Sequence, residues 1–364
     1  MPSPTIIDIA REAGVAFKTV ARVINREPSV KKETRERVEA VIARLGYKPN
    51  VWARSLRSSR SHLIAMIYIT TDVADAVAEA IKQKESLSYS SYYNQIHVTA
   101  MTKCQEFGYH LFIEEVATGT RGIAKRMRDL VAATQLDGVI LLPPLSDNLE
   151  VMKALRHEKV PFVRISPYSH FELSSCAYMD DRKAMYELTR HLCELGHRDI
   201  AFIKGPPDHL SSLARFLGFR DALTEYKAKL RPEWMIEDAF SLRFGTLAAQ
   251  KLLSARRRPT AVMAFNDDIA SGVMTGAYRR GFTLPRDLSI TGFDNAPIAA
   301  ALWPGLTTIY QPVAGLTAAA TEMLINEIET SAGPVARKLD YELVIRETTA
   351  PPRQKPEGGR RSGR

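Results

Sequence analysis

Seven short apolar runs, separated by stretches with helical periodicity, constrain the fold of residues 63–293 more than any other feature. Strands that alternate with helices in this way predict parallel sheets covered by helices. In open parallel sheets, ligands bind beyond the carboxyl ends of the strands, so the loops after these runs are candidate ligand-binding positions. The runs are LIAMIYI (63–69), HLFIEE (110–115), GVILL (138–142), PFVRI (161–165), IAFIKG (200–205), AVMAF (261–265) and LSITGF (288–293).

The start of the chain follows a different pattern, because residues 5–25 contain two short helical segments joined by Gly14. Thr5 and Asp8 have the spacing of a capping box, which predicts the start of the first helix. A third amphipathic pattern, with its apolar residues on one stripe, covers residues 31–45. The sequence therefore predicts a three-helix head before the α/β region.

The second of these helices is predicted to turn its valines inward and to leave Phe17, Lys18 and Arg22 on the opposite face. Such a face can reach base edges in a major groove. Residues 1–62 carry thirteen Lys and Arg against six acids, a net charge of +7 out of +9 for the chain. This concentration of positive charge favours a nucleic-acid backbone as the partner, and a solvated protein-binding face is the alternative.

Composition excludes several other classes of protein. A length of 364 residues and a hydrophobic content of 45% suit a globular chain of about two or three domains. No apolar stretch is long enough to span a bilayer, and MPSPTIIDIAREAG lacks the features of a signal peptide, so we expect a cytoplasmic, nucleoid-associated protein without a membrane partner. Cys104, Cys176 and Cys193 lack the spacing of a metal site or a disulfide framework. No metal or cofactor is expected.

The chain resembles the LacI/GalR family of transcription regulators from about residue 4 to 352. The resemblance implies a helix-turn-helix head, a two-lobed effector domain of the type I periplasmic-binding-protein kind with three crossovers, and a homodimer that reads a near-palindromic DNA operator. It also implies a small-molecule effector, typically a sugar or glycoside. The motifs that carry it are IIDIAREAGV, TVARVIN, ETRERVEAVIARLGYKPNVWARSLRS, LDGVILLPP, LGHRDIAFIKGPPDH, ARFLGFRDAL, FNDDIASGVM, SITGFDNAPIAAALWPGLTTIYQP and VIRETTAPPR.

The domain boundaries expected from this resemblance divide the chain into four parts. We expect the head at 1–48, a hinge helix at 49–61, the effector and dimerisation domain at 62–350 and a basic disordered tail at 351–364. Within the effector domain, the expected first lobe comprises 62–166 and 295–325, and the second comprises 167–294 and 326–350.

The resemblance places the DNA contacts in the head and hinge. Arg22 is expected to pair bidentately with a guanine, and Leu56 to enter the minor groove at the operator centre, although a lone leucine is more often a core residue. Ala16, Ala21 and Lys31 stand where relatives usually have serines, so we expect weaker or unusual positioning on DNA. The complete set of expected contacts is Thr5, Phe17, Lys18, Thr19, Arg22, Asn25, Lys31, Asn50, Ala53, Arg54 and Leu56.

The resemblance also assigns effector contacts to loops after the predicted strands. Each of these residues could instead cap a loop or form an interlobe salt bridge. Asp180 and Asp181 precede a helix, where an N-cap and a first-turn acid are expected rather than a catalytic pair. His197 is expected in a turn. The expected effector-binding residues are Arg215, Asn266, Asp267, Phe293, Asp294 and Trp303, with Tyr89 and Ser91 as additional candidates.

Residues 70–88 depart from the family pattern, because the segment after the first strand is about fifteen residues longer than relatives have. It could remodel the pocket, extend the dimer surface or form a flap, and the next helix is expected near Tyr92.

The expected function is repression of transcription, with effector and operator coupled through the lobes and the hinge. The alternatives are a sugar-binding transport protein and a regulator that does not respond to sugar. An enzyme is not expected, because phosphate-binding, dinucleotide-binding and zinc-protease motifs are absent from the sequence.

Overall fold

The computed structural model describes residues 4–24, 29–47, 60–70, 91–117, 122–207, 209–237 and 242–353. The chain forms two compact units, residues 1–62 and 63–364, and the division lies one residue from the expected end of the hinge. Several expected features lie outside the described residues: the contacts of Asn25, Asn50, Ala53, Arg54, Leu56 and Tyr89, nearly all of the insertion, and the tail from 354 onward.

The first unit is a three-helix head, with α1 (Ile6–Ala13), α2 (Phe17–Ile24) and α3 (Lys32–Leu45). The predicted capping box is present: the Asp8 amide donates to Thr5 Oγ1 at 3.3 Å, and the Thr5 amide donates to Asp8 Oδ2 at 2.9 Å. Gly14 ends α1 at a φ of 61°, a conformation that costs glycine little. The head has its own apolar core, formed by Ile9, Ala10, Ala13, Val20, Val23, Val38 and Val41.

The second unit alternates strands and helices along the chain, as the apolar runs predicted. Its described strands are β1 (Leu63–Thr70), β2 (His110–Ala117), β3 (Gly138–Leu141), β4 (Phe162–Ile165), β5 (Cys176–Tyr178), β6 (Ile200–Lys204), β7 (Met235–Glu237), β8 (Ala261–Ala264), β9 (Ser289–Thr291), β10 (Thr308–Tyr310), β11 (Ala336–Lys338) and β12 (Glu342–Val344). Its described helices are α4 (Ser91–Glu106), α5 (Ile123–Thr134), α6 (Leu149–His157), α7 (Asp181–Glu194), α8 (Leu210–Glu225), α9 (Leu242–Ser254), α10 (Asp267–Tyr278), α11 (Pro297–Ala301) and α12 (Val313–Thr330).

Two parallel sheets define two lobes within this unit. The first sheet has the order β11-β5-β4-β3-β1-β2, and the second has the order β7-β6-β8-β9. Apolar cores lie on both faces of each sheet, because helices cover both faces. The first lobe packs α4 and α12 on one face and α5 and α6 on the other, whereas the second packs α9 and α10 opposite α7 and α8.

The chain passes between the lobes three times, but the passages lie further along the sequence than expected. They follow β5, β10 and β11 instead of falling at 166, 294 and 325. Each of these strands has only three residues, which is too short for a period-two pattern to identify it. β11 is also exposed at all three positions, as expected of an edge strand without an apolar face.

Two further sequence expectations can be compared with the structure. Cys104, Cys176 and Cys193 are free and buried, as small core residues are. Within the described ranges, every helix is too short or too polar to cross a lipid bilayer.

Candidate functional sites

The outer face of α2 presents the side chains that the sequence assigned to base contacts. Val20 and Val23 are buried in the head core, whereas Phe17 is 39% exposed and Lys18 and Arg22 are also exposed. The helical spacing of 3.6 residues per turn separates the two sets. An exposed aromatic ring and two cations on one short helix can contact bases and phosphates together.

The positions where the head departs from the family pattern are also visible. The Ala16 carbonyl accepts the Thr19 amide at 2.8 Å at the start of α2, and an alanine side chain has no oxygen to cap that helix. Lys31 precedes α3, is exposed and makes no capping hydrogen bond. Thr19 is half-buried, and Thr5 is engaged in the capping box of α1.

In the second unit, Arg215 on α8 is the centre of a buried polar cluster, and its side chain is only 4% exposed. Its guanidinium donates to Asp181 Oδ1 at 2.8 Å, to the Phe265 carbonyl at 2.8 Å and to Gln311 Oε1 at 3.3 Å. It also lies 3.5 Å from the centre of the Phe293 ring. Arg215 is therefore paired before any ligand arrives.

Asp294 is the less satisfied carboxylate of this cluster. Its Oδ1 lies 3.9 Å from Arg215 Nη2, which is too long for a hydrogen bond, and its side chain is 14% exposed. Burial raises the pKa of Asp294, and Arg215 opposes that shift. Its backbone φ is 108°, a region that side chains rarely adopt. Such strain is typical of sites that hold a group for binding.

Three further polar side chains border the same cluster. Tyr168 Oη and Asp181 Oδ2 are buried and make no hydrogen bond among the described residues. Burial and the charge of Asp181 raise the pKa of Tyr168, and burial raises that of Tyr92, which also senses Asp294. Burial and then Arg215 lower the pKa of His209 to about 3, so this imidazole is neutral at physiological pH. The cluster thus combines carboxylates, phenols and one paired cation.

Two residues expected at the effector instead hold the fold together in the structure. Asn266 caps α10, because its Oδ1 accepts the Ile269 amide at 2.9 Å. Asp267 is 1% exposed and accepts hydrogen bonds from the Ala296 amide and the Thr308 hydroxyl, both at 2.7 Å. The contacts of Asn266 and Asp267 are therefore those of a helix cap and of a structural link between loops, which is the alternative role that the sequence allowed.

The expectation for Trp303 is corrected by the structure. Its side chain is 85% exposed, and its carbonyl accepts from the Tyr278 hydroxyl at the carboxyl end of α10. The Arg215 cluster lies at the amino end of that helix, about 16 Å away at 1.5 Å per residue. Phe293, by contrast, is fully buried beneath Arg215. Ser91 begins α4, next to Tyr92.

Comparisons with known proteins agree with this architecture. The model of the bacterial regulatory proteins of the lacI family matches residues 5–50, and that of a periplasmic binding protein-like domain matches residues 189–349. The HTH-type transcriptional repressor PurR of Vibrio parahaemolyticus is 31% identical over 94% of this chain and 98% of its own length. The chain belongs to the LacI family. It is a DNA-binding transcriptional repressor and not an enzyme, so the predicted family and fold class are confirmed.

Two solved structures share the fold of this LacI-family chain along nearly its whole length. The lac repressor dimer bound to operator and the anti-inducer ONPF has 25% identity and a TM-score of 0.77, covering 96% of this chain and all of that one. The transcriptional regulator CelR in complex with cellobiose has 26% identity and a TM-score of 0.69, and the match covers 95% of this chain and 100% of that one. The alternative of a transport protein does not hold, because these relatives are regulators.

Sequence reasoning missed part of the cluster in this LacI-family protein. Asp181 was predicted only as a first-turn acid, and Asp180 does cap α7 by accepting the Lys183 amide at 3.0 Å. Asp181 also accepts a hydrogen bond from Arg215, which lies on the next helix, α8. No motif in the sequence marks Gln311 or Tyr168 as a site residue. Their only indication is that each follows a strand-like or apolar run.

Proposed function

We propose that this repressor reads its operator with the exposed face of α2, and that a small hydroxyl-bearing effector bound at the Arg215 cluster sets its affinity for DNA. The observation that carries the effector proposal is Asp294: a partly exposed carboxylate that lacks a hydrogen-bond donor among the described residues. Asp181 Oδ2 and Tyr168 Oη, which lie near each other, are also buried without a hydrogen bond of ordinary length among the described residues. Buried polar groups of this kind require hydrogen bonds, and a ligand can provide them.

A carbohydrate suits these groups chemically. Its hydroxyls donate to the carboxylates of Asp181 and Asp294 and exchange hydrogen bonds with Tyr168. The structural relative CelR, solved with cellobiose, supports the same class of effector. We take a sugar or glycoside as the effector of this chain.

For the DNA complex, we propose a homodimer on a near-palindromic operator, as the operator-bound dimer of the lac repressor supports. Arg22 pairs with a guanine, while Phe17 and Lys18 contact neighbouring bases. Thr19, Asn25 and Lys31 hold phosphates. Leu56 enters the minor groove, a proposal that rests on the sequence alone. The remaining hinge contacts are Asn50, Ala53 and Arg54.

Effector and operator are coupled by one free energy, typically ~1–3 kcal/mol. The effector changes the relation of the two lobes, and the hinge segments transmit that change to the heads. An effector that favours the DNA-binding arrangement acts as a corepressor, and one that opposes it acts as an inducer.

The test is selection of binding sites from a random DNA library with the purified full chain. We expect enrichment of a near-palindromic sequence. The Arg22→Ala variant should lose roughly 5–150-fold discrimination at one base pair of each half-site, because a bidentate contact contributes about 1–3 kcal/mol. Salt-sensitive nonspecific binding should persist.

The matched control is Arg37→Ala, which removes an exposed cation from α3 outside the proposed contacts. Selectivity unchanged in Arg22→Ala, or lost equally in Arg37→Ala, would contradict the assignment of the α2 face.

A further inference from the structure

A cavity of about 290 Å³ lies between the two lobes, and none of the partners of Arg215 lines it. Leu210 of α8 faces it from the second lobe, while Asp147 and Asn148 face it from the first. Small-molecule sites range upward from roughly 300 Å³, so the cavity has the size for one ring of a ligand. The rest of its described lining is apolar: Ile69, Pro144 and Leu145.

Asp147 uses its two carboxylate oxygens differently. Oδ1 accepts three hydrogen bonds, from the Tyr168 amide at 2.8 Å, the Ser169 amide at 2.9 Å and the Ser169 hydroxyl at 2.7 Å. No described residue donates to Oδ2, and Asp147 is only half-buried. One oxygen therefore holds the loop after β4, and the other is available at the cavity wall.

Asn148 supplies the complementary group. Its Oδ1 caps α6 by accepting the Val151 amide at 3.1 Å, which fixes the side chain and leaves the Nδ2 donors for other partners. An acceptor and a donor on adjacent residues match a hydroxyl group, which both donates and accepts. The apolar walls match the C–H face of a sugar ring.

The cavity is also linked to the Arg215 cluster through the chain itself. Asp147 binds the backbone of Tyr168, and the Tyr168 ring borders the cluster, where the charge of Asp181 acts on its hydroxyl. A ligand in the cavity would contact Leu210 as well, so it would touch both lobes.

Building on the function proposed above, we propose that this cavity is a second subsite of the effector site. It binds an uncharged, hydroxyl-bearing ring, with Asp147 Oδ2 accepting a hydroxyl hydrogen bond and Asn148 Nδ2 donating one. The subsite selects against anionic groups such as phosphate or carboxylate, because no lysine or arginine lines it in the described ranges and the Asp147 charge repels them.

The test is a thermal-shift and calorimetric panel on the full-length protein. The neutral probes are D-glucose, D-galactose and cellobiose, and their anionic partners are D-glucose 6-phosphate, D-galacturonate and cellobionate. Asp147→Asn retains the oxygen that holds the loop and replaces the other with a donor. Glu150→Gln is the matched control, because it removes an exposed charge three residues away, outside the cavity. Asp294→Asn reports on the Arg215 cluster.

We expect a neutral probe to raise the unfolding midpoint of the wild type in a dose-dependent way, while its anionic partner does not. The affinity of that probe should fall at least tenfold in Asp147→Asn and change less than twofold in Glu150→Gln. The unliganded midpoint of Asp147→Asn should remain within about 2 °C of the wild type, which separates lost binding from a lost loop.

Other outcomes overturn one proposal or both. A neutral probe that depends on Asp294 but binds Asp147→Asn normally would overturn the subsite and leave the effector proposal standing. A neutral probe that depends on Asp147 but binds Asp294→Asn normally would overturn the Arg215 cluster as the effector site and leave the cavity as a ligand site of its own. Tighter binding of an anionic partner would overturn the subsite. A panel without any stabilising neutral probe counts against both, while operator selection still tests the repressor function independently.

Discussion

Among the described residues, each lobe contains one buried arginine, and the two are paired in contrasting ways. Arg164 on β4 is fully buried, and its hydrogen bonds among the described residues all go to neutral acceptors of its own lobe: Ser174 Oγ and the carbonyls of Ser146, Ser169 and His170. Arg215 faces two carboxylates, one of which it does not hydrogen-bond. An arginine whose acceptors are all satisfied within one lobe is structural. The under-paired carboxylate beside Arg215 is the feature that supports the effector-binding role proposed above for its cluster.

The strongest test of this contrast is Arg164→Met. The substitution leaves four acceptors without this donor, two of them fully buried (Ser174 Oγ and the Ser146 carbonyl), and each buried acceptor left unpaired costs roughly 1–3 kcal/mol. We expect the free energy of unfolding, measured in urea, to fall by more than about 3 kcal/mol. Arg156→Met, on an exposed position of α6 in the same lobe, should cost much less. A loss below about 1 kcal/mol would mean that water replaces the guanidinium and would break the contrast.

A substitution of Asp294 is expected to change the free energy of unfolding by a smaller amount and to increase it. Asp294→Asn removes a largely buried carboxylate that has no hydrogen-bond donor among the described residues, and asparagine tolerates a positive φ. We expect the unliganded protein to gain about 1 kcal/mol in the free energy of unfolding, because binding sites often sacrifice stability. Asp129→Asn, which removes an exposed carboxylate on α5, serves as the control for loss of charge. If Asp294→Asn lowers the free energy of unfolding instead, Asp294 has a structural role, as the acceptors around Arg164 do.

The smallest expected change is in the pKa of His209, which the positive charge of Arg215 lowers. Burial and Arg215 hold the pKa of His209 at about 3, below the ordinary 6.5. The unfolded chain therefore binds more protons, and stability is lost as the pH falls from about 6.5 toward 3. In Arg215→Gln, NMR titration should show a higher His209 pKa and a smaller acid loss. Arg182→Gln, at an exposed position of the same lobe, should leave it unchanged. An unaltered pKa in Arg215→Gln would leave burial as its only cause.

The sequence predicted the parts of this fold that carry a periodic signal. The apolar runs became β1 to β4, β6, β8 and β9, and the capping box placed α1 at its observed start. The strands β5, β10 and β11 were not predicted, because three residues are too few to show a period-two pattern. That is also why the lobe boundaries were misplaced.

The candidate site shows the same limit. Arg215 and Asp294 were identified from motifs, yet the pairing with Asp181 and Gln311 depends on tertiary packing that no local pattern records. Trp303 was assigned by residue type, since an aromatic ring suits a sugar, but the length of α10 carries it away from the cluster. The chemistry of individual residues indicated where the candidate site lies, but only the structure shows which of those residues are close to one another.

The three passages between lobes have a consequence for biosynthesis. Helix α12 and strand β11 complete the first lobe, although residues 313–338 follow nearly all of the second lobe in the chain. The head closes its own core within the first 62 residues. At 5–20 residues per second, a ribosome needs roughly 7–27 s to travel from residue 178, the end of β5, to residue 313. During that interval the head is complete, while one face of the first sheet has α4 but lacks α12, and the apolar side chains that α12 will cover are exposed to the chaperones of the cell.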